Sequence, residues 1–192
     1  MKKIILASKS PRRIEMLGRY VKDLIVFSPD TEEKLDIGDL PETSVMKISL
    51  EKALAVKEIS EETGIIIAAD TVVYLDRIMG KPKDYNEGFE MLKSLSGKTH
   101  KVYTGLCIID NENNKKVVDF EETIVEFNEL SDDFIRKYLN TEEYKDKAGA
   151  YGIQGYGELL VKGIHGCYNN VKGLPLTKLN NLLTKHFSHN LL

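Results

Sequence analysis

Residues 65–69 read Ile-Ile-Ile-Ala-Ala, five apolar positions with no polar one between them. Side chains alternate between the two faces of a strand, so a strand of this composition must be covered on both faces. That disfavours an open sheet wetted on one side and predicts a central strand of an α/β fold. The run stops at Asp70, expected at the strand's end, with Thr71 to Leu75 as a second short strand continuing it. Sheets of this class place ligand crevices at the carboxyl ends of their central strands. A carboxylate there can hold a divalent metal or orient an attacking water. Gly80-Lys81-Pro82, one short hairpin later, could set an ammonium beside it. The plainer alternative is an acidic residue that merely ends a strand.

The N-terminus carries a second constraint. Ile4-Ile5-Leu6-Ala7 breaks into Ser8-Lys9-Ser10-Pro11-Arg12-Arg13, a strand running into a helix with Ser10 suited to the N-cap and Pro11 to the first helical position. Backbone N–H groups, the Ser8 and Ser10 hydroxyls and the Arg12/Arg13 guanidinium groups would converge there. The turn reads either as a phosphate cradle or as a solvated basic turn. Further along, strands are expected at 24–27, 102–109 and 116–127, the last two as a hairpin around a turn at 111–114. Leu159 to Val161 and Ile164 suggest a final strand or two. Helices are expected at 11–17, 42–59, 86–95, 176–187 and after the capping residue Ser131. A mixed sheet with helices on both faces is the simplest architecture.

Other candidate residues divide between chemistry and surface. Glu32 and Glu33 lie in an acidic loop; one of them could add an oxygen ligand for a hard cation, although a solvated loop explains both. Lys52 reads first as a helix-surface lysine. Four glycines between 149 and 157 would let the backbone approach a ligand, and Gln154 among them offers an amide that both donates and accepts. Ser96-Gly97-Lys98-Thr99 ends like a P-loop, but Leu92 stands where the first glycine belongs. The four histidines are isolated and mark no zinc site.

At 192 residues, 42% hydrophobic and 30% charged, the chain has the makeup of one globular domain, 1–192. A net charge of −3 disfavours a nucleic-acid polymer as partner but not a small anion held locally. No stretch is long and apolar enough to span a bilayer, and a cytoplasmic location is expected. Cys107 and Cys167 lack C-x-x-C spacing and are expected as buried thiols.

Ser8 to Arg13, Ala69-Asp70-Thr71-Val72-Val73, Gly80-Lys81-Pro82, His100-x-Val102-x-Thr104-Gly105, Asp146 to Gly155 and Gly173-Leu174-Pro175 together resemble the Maf family of nucleoside triphosphate pyrophosphatases, in order over almost the whole chain. The resemblance implies a cytoplasmic, divalent-metal-dependent enzyme that cleaves a nucleotide between the α and β phosphates. It implies an elongated mixed sheet with two lobes around a cleft, similar to inosine triphosphate pyrophosphatases, often as a dimer. Arg12, Thr71 and Gln154 match the branch acting on dTTP and UTP, and Asp70 matches the proposed proton acceptor. Glu33, Lys52 and Lys81 fall where the family places further active-site charges.

On that carry-over, Ser8, Ser10, Arg12 and Arg13 bind the phosphates, with Mg²⁺ or Mn²⁺ held by Glu33 and by the phosphates themselves. Asp70 either activates water or ligates the metal. Gln154 can meet the N–H and carbonyl edge of uracil or thymine, and a flipped amide would accommodate cytosine. A nucleotide-binding regulator of septum formation with little turnover is the alternative function.

Overall fold

The computed structural model describes residues 2–29, 31 and 38–192. Seven strands form one mixed sheet in the order β2-β1-β3-β5-β6-β7, with β4 pairing β3. The strands are β1 (Lys3–Ala7), β2 (Ile25–Phe27), β3 (Gly64–Tyr74), β4 (Ile78–Met79), β5 (Thr99–Asp110), β6 (Lys115–Phe127) and β7 (Val161–His165). The helices are α1 (Pro11–Gly18), α2 (Pro41–Ile59), α3 (Tyr85–Leu95), α4 (Asp132–Leu139), α5 (Tyr168–Val171) and α6 (Leu176–Phe187). The chain packs as two compact units. One comprises Met1–Asp70, Thr104–Glu121 and Gly173–Leu192, and the other Thr71–Tyr103 and Glu122–Lys172.

In the first unit the sheet is buried on both faces, as the run at 65–69 requires. Ile65, Ile67 and Ala69 join Ile4, Leu6, Leu106 and Ile108 in a core with Met16 and Leu17 of α1 and Leu179 and Leu183 of α6. The alternate residues Ile66 and Ala68 join Ile5, Ala7, Cys107 and Ile109 against Ala53 and Val56 of α2. Period-2 alternation therefore aims Asp70, two residues after Ala68, at the α2 side. The second unit has its own core, in which Phe89, Leu92 and Leu95 of α3 and Ile135, Tyr138 and Leu139 of α4 meet Val102, Val125 and Phe127. Asp84 and Ser131 cap these two helices, accepting from the N–H groups of Glu87 (2.9 Å) and Phe134 (3.2 Å).

Three expectations need correcting. Asp70 does not end a strand, because β3 runs unbroken through it to Tyr74; what ends is the pairing with β1, whose last partner pair is Ala7 with Ala68. Leu159 and Leu160 belong to a 3-10 segment, Gly155–Leu160, and β7 starts only at Val161. Cys107 is buried but Cys167 is half-exposed.

Gly105 shows how tightly α2 is seated. A Cβ there would run into the backbone of Val45 and come within 2.8 Å of the Met46 nitrogen. A methyl group at this point has to push the whole helix, not a side chain. Gly105→Ala is expected to cost about 1–3 kcal/mol, the range for overpacking, read as a lower urea midpoint. An unchanged midpoint would show that α2 gives way freely.

Candidate functional site

The first unit brings together most of the residues expected to handle phosphate. Asp70 is 5% exposed and Lys52 is 6% exposed; Lys52 Nζ donates to Asp70 Oδ1 at 2.6 Å. Lys52 is therefore no surface lysine. It shares the inward side of α2 with Ala53 and Val56, and a buried ammonium is tolerated because a carboxylate meets it. Periodicity alone does not tell a solvent-facing lysine from one aimed at a carboxylate on a neighbouring strand; the pointer inward was the family resemblance, which put Lys52 among further active-site charges.

The Ser8–Arg13 turn leaves the sheet close to Asp70 in register, because β1 ends opposite Ala68. Ser8 is buried. Its N–H donates to the Phe27 carbonyl (3.0 Å) and its hydroxyl accepts from the Ser10 N–H (3.1 Å). Ser10 occupies the N-cap position of α1 with Pro11 behind it, but its hydroxyl makes no capping bond. The expected side-chain cap from Ser10 is therefore not made, and the Ser8 hydroxyl instead holds the N–H of the N-cap residue itself. The first bond of α1 runs from Ile14 N–H to Ser10 C=O (3.2 Å), which leaves the first-turn N–H groups directed out of the helix, where anions bind. Arg13 Nε donates to the Gly173 carbonyl at 2.7 Å, tying the turn to the Gly173-Leu174-Pro175 segment. Arg12 is half-buried.

The second unit carries the remaining candidates. Thr71 is half-buried, while Lys81 and Gln154 are exposed. The Gly149 N–H donates to the Gly80 carbonyl at 3.0 Å, so the Lys81 turn and the glycine-rich segment are held side by side. Glu33 and its neighbour Glu32 lie outside the described residues.

Two residues were not singled out from sequence as site residues. His100, taken as isolated, is buried and its Nε2 lies 2.7 Å from the Tyr151 hydroxyl. Burial pushes its imidazole down to about 4, and burial also raises the Tyr151 phenol. Both are neutral at neutral pH. The second residue is Glu143, whose Oε1 accepts from the Tyr156 N–H at 3.3 Å. For His100 the sequence signals were its place at the head of an apolar strand and in the His100-x-Val102-x-Thr104-Gly105 motif, neither of which gave it a role; for Glu143 there was none.

The family model described as Maf-like protein matches residues 3–186. A dTTP/UTP pyrophosphatase of Clostridium kluyveri is 48% identical over 185 residues, 95% of this chain and 96% of its own. One of Alkaliphilus oremlandii is 48% identical over 192 residues, covering 100% of both chains. Among solved structures, a nucleoside-triphosphatase / dITP/XTP pyrophosphatase of Mycobacterium abscessus is 14% identical, with 97% of this chain and 96% of that one covered and a TM-score of 0.46.

Proposed function

The chain belongs to the Maf family, and on that premise we propose that it hydrolyses pyrimidine nucleoside triphosphates, dTTP and UTP foremost, between the α and β phosphates. Water adds to the α-phosphorus, the bond from that phosphorus to the bridging oxygen breaks, and a monophosphate and pyrophosphate leave. The observation that carries this reading is the 48% identity, spread over the full length, to a protein named dTTP/UTP pyrophosphatase. The binding-only regulator gains no support from any of these observations.

The residues fit the chemistry. The Ser8–Arg13 turn and Lys81 supply N–H, hydroxyl and cationic donors for the triphosphate, whose charge must be offset before water can attack. Asp70 supplies the carboxylate, held in orientation by Lys52, and Gln154 supplies the amide for the base edge. Thr71, next to Asp70 on β3, is assigned to the substrate as well.

Among the described residues no three His, Cys, Asp or Glu side chains gather into a metal site. Mg²⁺ needs no such cage, since it commonly binds through one or two carboxylates plus substrate phosphates. Asp70, with Oδ1 engaged by Lys52, suits that sparse arrangement, and Glu33 is the proposed second carboxylate. Mg²⁺ or Mn²⁺ bound there would neutralise phosphate charge and polarise the scissile bond.

The same reading places the enzyme in the cytoplasm, acting on free nucleotides, surplus or non-canonical, and not on a nucleic-acid polymer. No helix among the described residues is long and apolar enough to cross a membrane. The test is pyrophosphate release from dTTP, UTP, CTP, ATP and GTP in the presence of Mg²⁺. For dTTP and UTP, kcat/KM is expected to exceed the purine values by roughly tenfold or more. Release of orthophosphate alone, or a preference for purines, would overturn the assignment.

A further inference from the structure

Gln154 stands exposed on extended backbone, φ −131° and ψ 165°, in the middle of a glycine-rich segment. A side chain that reads a base edge has to be held to within roughly 0.5 Å. Its own three torsions cannot provide that, so the backbone on either side must.

Both sides are pinned from beneath. On the N-terminal side the Tyr151 ring is 4% exposed and packs edge-on against Phe127, with centroids 4.7 Å apart and planes at 77°. His100 closes the group, at 4.9 Å from the Phe127 centroid and 5.4 Å from that of Tyr151. Its Nε2 holds the Tyr151 hydroxyl. The next residue, Gly152, donates its N–H to the Tyr138 hydroxyl at 3.2 Å. On the C-terminal side Gly155 takes a φ of 63°, and a Cβ there would strike Glu143 Oε1, the oxygen that accepts from the Tyr156 N–H. Glu143 thus lies directly under the turn that follows Gln154.

We propose that His100 and Glu143 are positioning residues for base discrimination: His100, through the Tyr151 hydroxyl, and Glu143, through the Tyr156 N–H, hold Gln154 where it meets the pyrimidine edge. This rests on the reading that Gln154 contacts the base. Neither residue touches substrate. A neutral ring at position 100 suits the task, because it shares one hydrogen bond with a phenol and brings no charge into an apolar cluster.

The test compares Tyr151→Phe, Glu143→Ala and Gln154→Ala by steady-state kinetics with dTTP, UTP and ATP, alongside thermal unfolding. Tyr151→Phe keeps the ring and its packing and removes only the hydroxyl. It is expected to raise KM for dTTP and UTP about three- to tenfold, the worth of one neutral hydrogen bond, with kcat within about twofold and ATP unaffected. Glu143→Ala is expected to behave alike. His100→Gln, which can still reach the hydroxyl, should stay near wild type where His100→Leu does not.

If Gln154→Ala shifts the pyrimidine-to-purine ratio and neither Tyr151→Phe nor Glu143→Ala does, the positioning role is overturned while the base contact stands. If Gln154→Ala leaves the ratio unchanged, the base contact falls and the positioning role with it. An equal loss for all three nucleotides in Tyr151→Phe also overturns the proposal, since it would mark the cluster as general support.

Discussion

Asp70→Asn is expected to lower kcat for dTTP by about 10²- to 10⁴-fold, the usual contribution of a positioned acid or base. The substitution preserves shape and removes charge, which makes it the sharpest available probe of this carboxylate. It also has a structural consequence. Lys52 is buried at 2.6 Å from Asp70, and taking away one partner of a buried ion pair costs about 3–5 kcal/mol. Activity must therefore be normalised to the folded fraction, read by near-UV circular dichroism. The double variant Lys52→Met, Asp70→Asn removes both charges and should recover stability without recovering turnover. A folded Asp70→Asn protein that turns over within about tenfold of wild type would take Asp70 out of the reaction. Raising Mg²⁺ or Mn²⁺ separates the two roles open to Asp70: recovery of turnover points to metal ligation, and no recovery points to a base.

That ion pair also shows where sequence stops being informative. The apolar run at 65–69 dictated a strand buried on both faces, and Ile65, Ile66 and Ile67 do alternate between two cores. The break from Ala7 into Ser8 and Pro11 dictated a strand-to-helix turn, and α1 starts at Pro11. These are local signals, carried by periodicity and by proline's missing N–H. Lys52 and Asp70 lie eighteen residues apart on different elements, and only the crossing of α2 over β3 brings them together. Asp70 looked like a strand end because polarity changes there. The backbone continues because ladder pairing does not depend on side-chain polarity.

The role of His100 was illegible for a related reason, although the residue itself stands in a motif of the family resemblance. Its partner, Tyr151, is fifty-one residues away, in a segment whose glycines suppress any regular pattern. Gly105 could be seen as a glycine in a strand, which often marks close backbone approach. That the approaching backbone is α2 follows only from the packing. In each case the residue type was visible and its neighbour was not, and a site is a statement about neighbours.

Gln154→Ala is expected to lower kcat/KM for dTTP and UTP by roughly ten- to a hundredfold, or about 1–3 kcal/mol, because a donor and an acceptor on the base lose their protein partners. The exposure of Gln154 bears on how that loss is distributed. A side chain that contacts only the base, away from the reacting phosphorus, interacts with ground state and transition state alike. The loss should then appear mainly in KM, with kcat nearly unchanged. Purine triphosphates, which present a different edge, should lose less, so the ratio of kcat/KM for dTTP to that for ATP is the quantity to measure. Removing an exposed side chain should leave thermal stability within about 0.5 kcal/mol of wild type, which keeps the comparison clean. A uniform fall across dTTP, UTP and ATP would show that Gln154 serves the phosphates or the loop, and the pyrimidine preference would have to come from another residue.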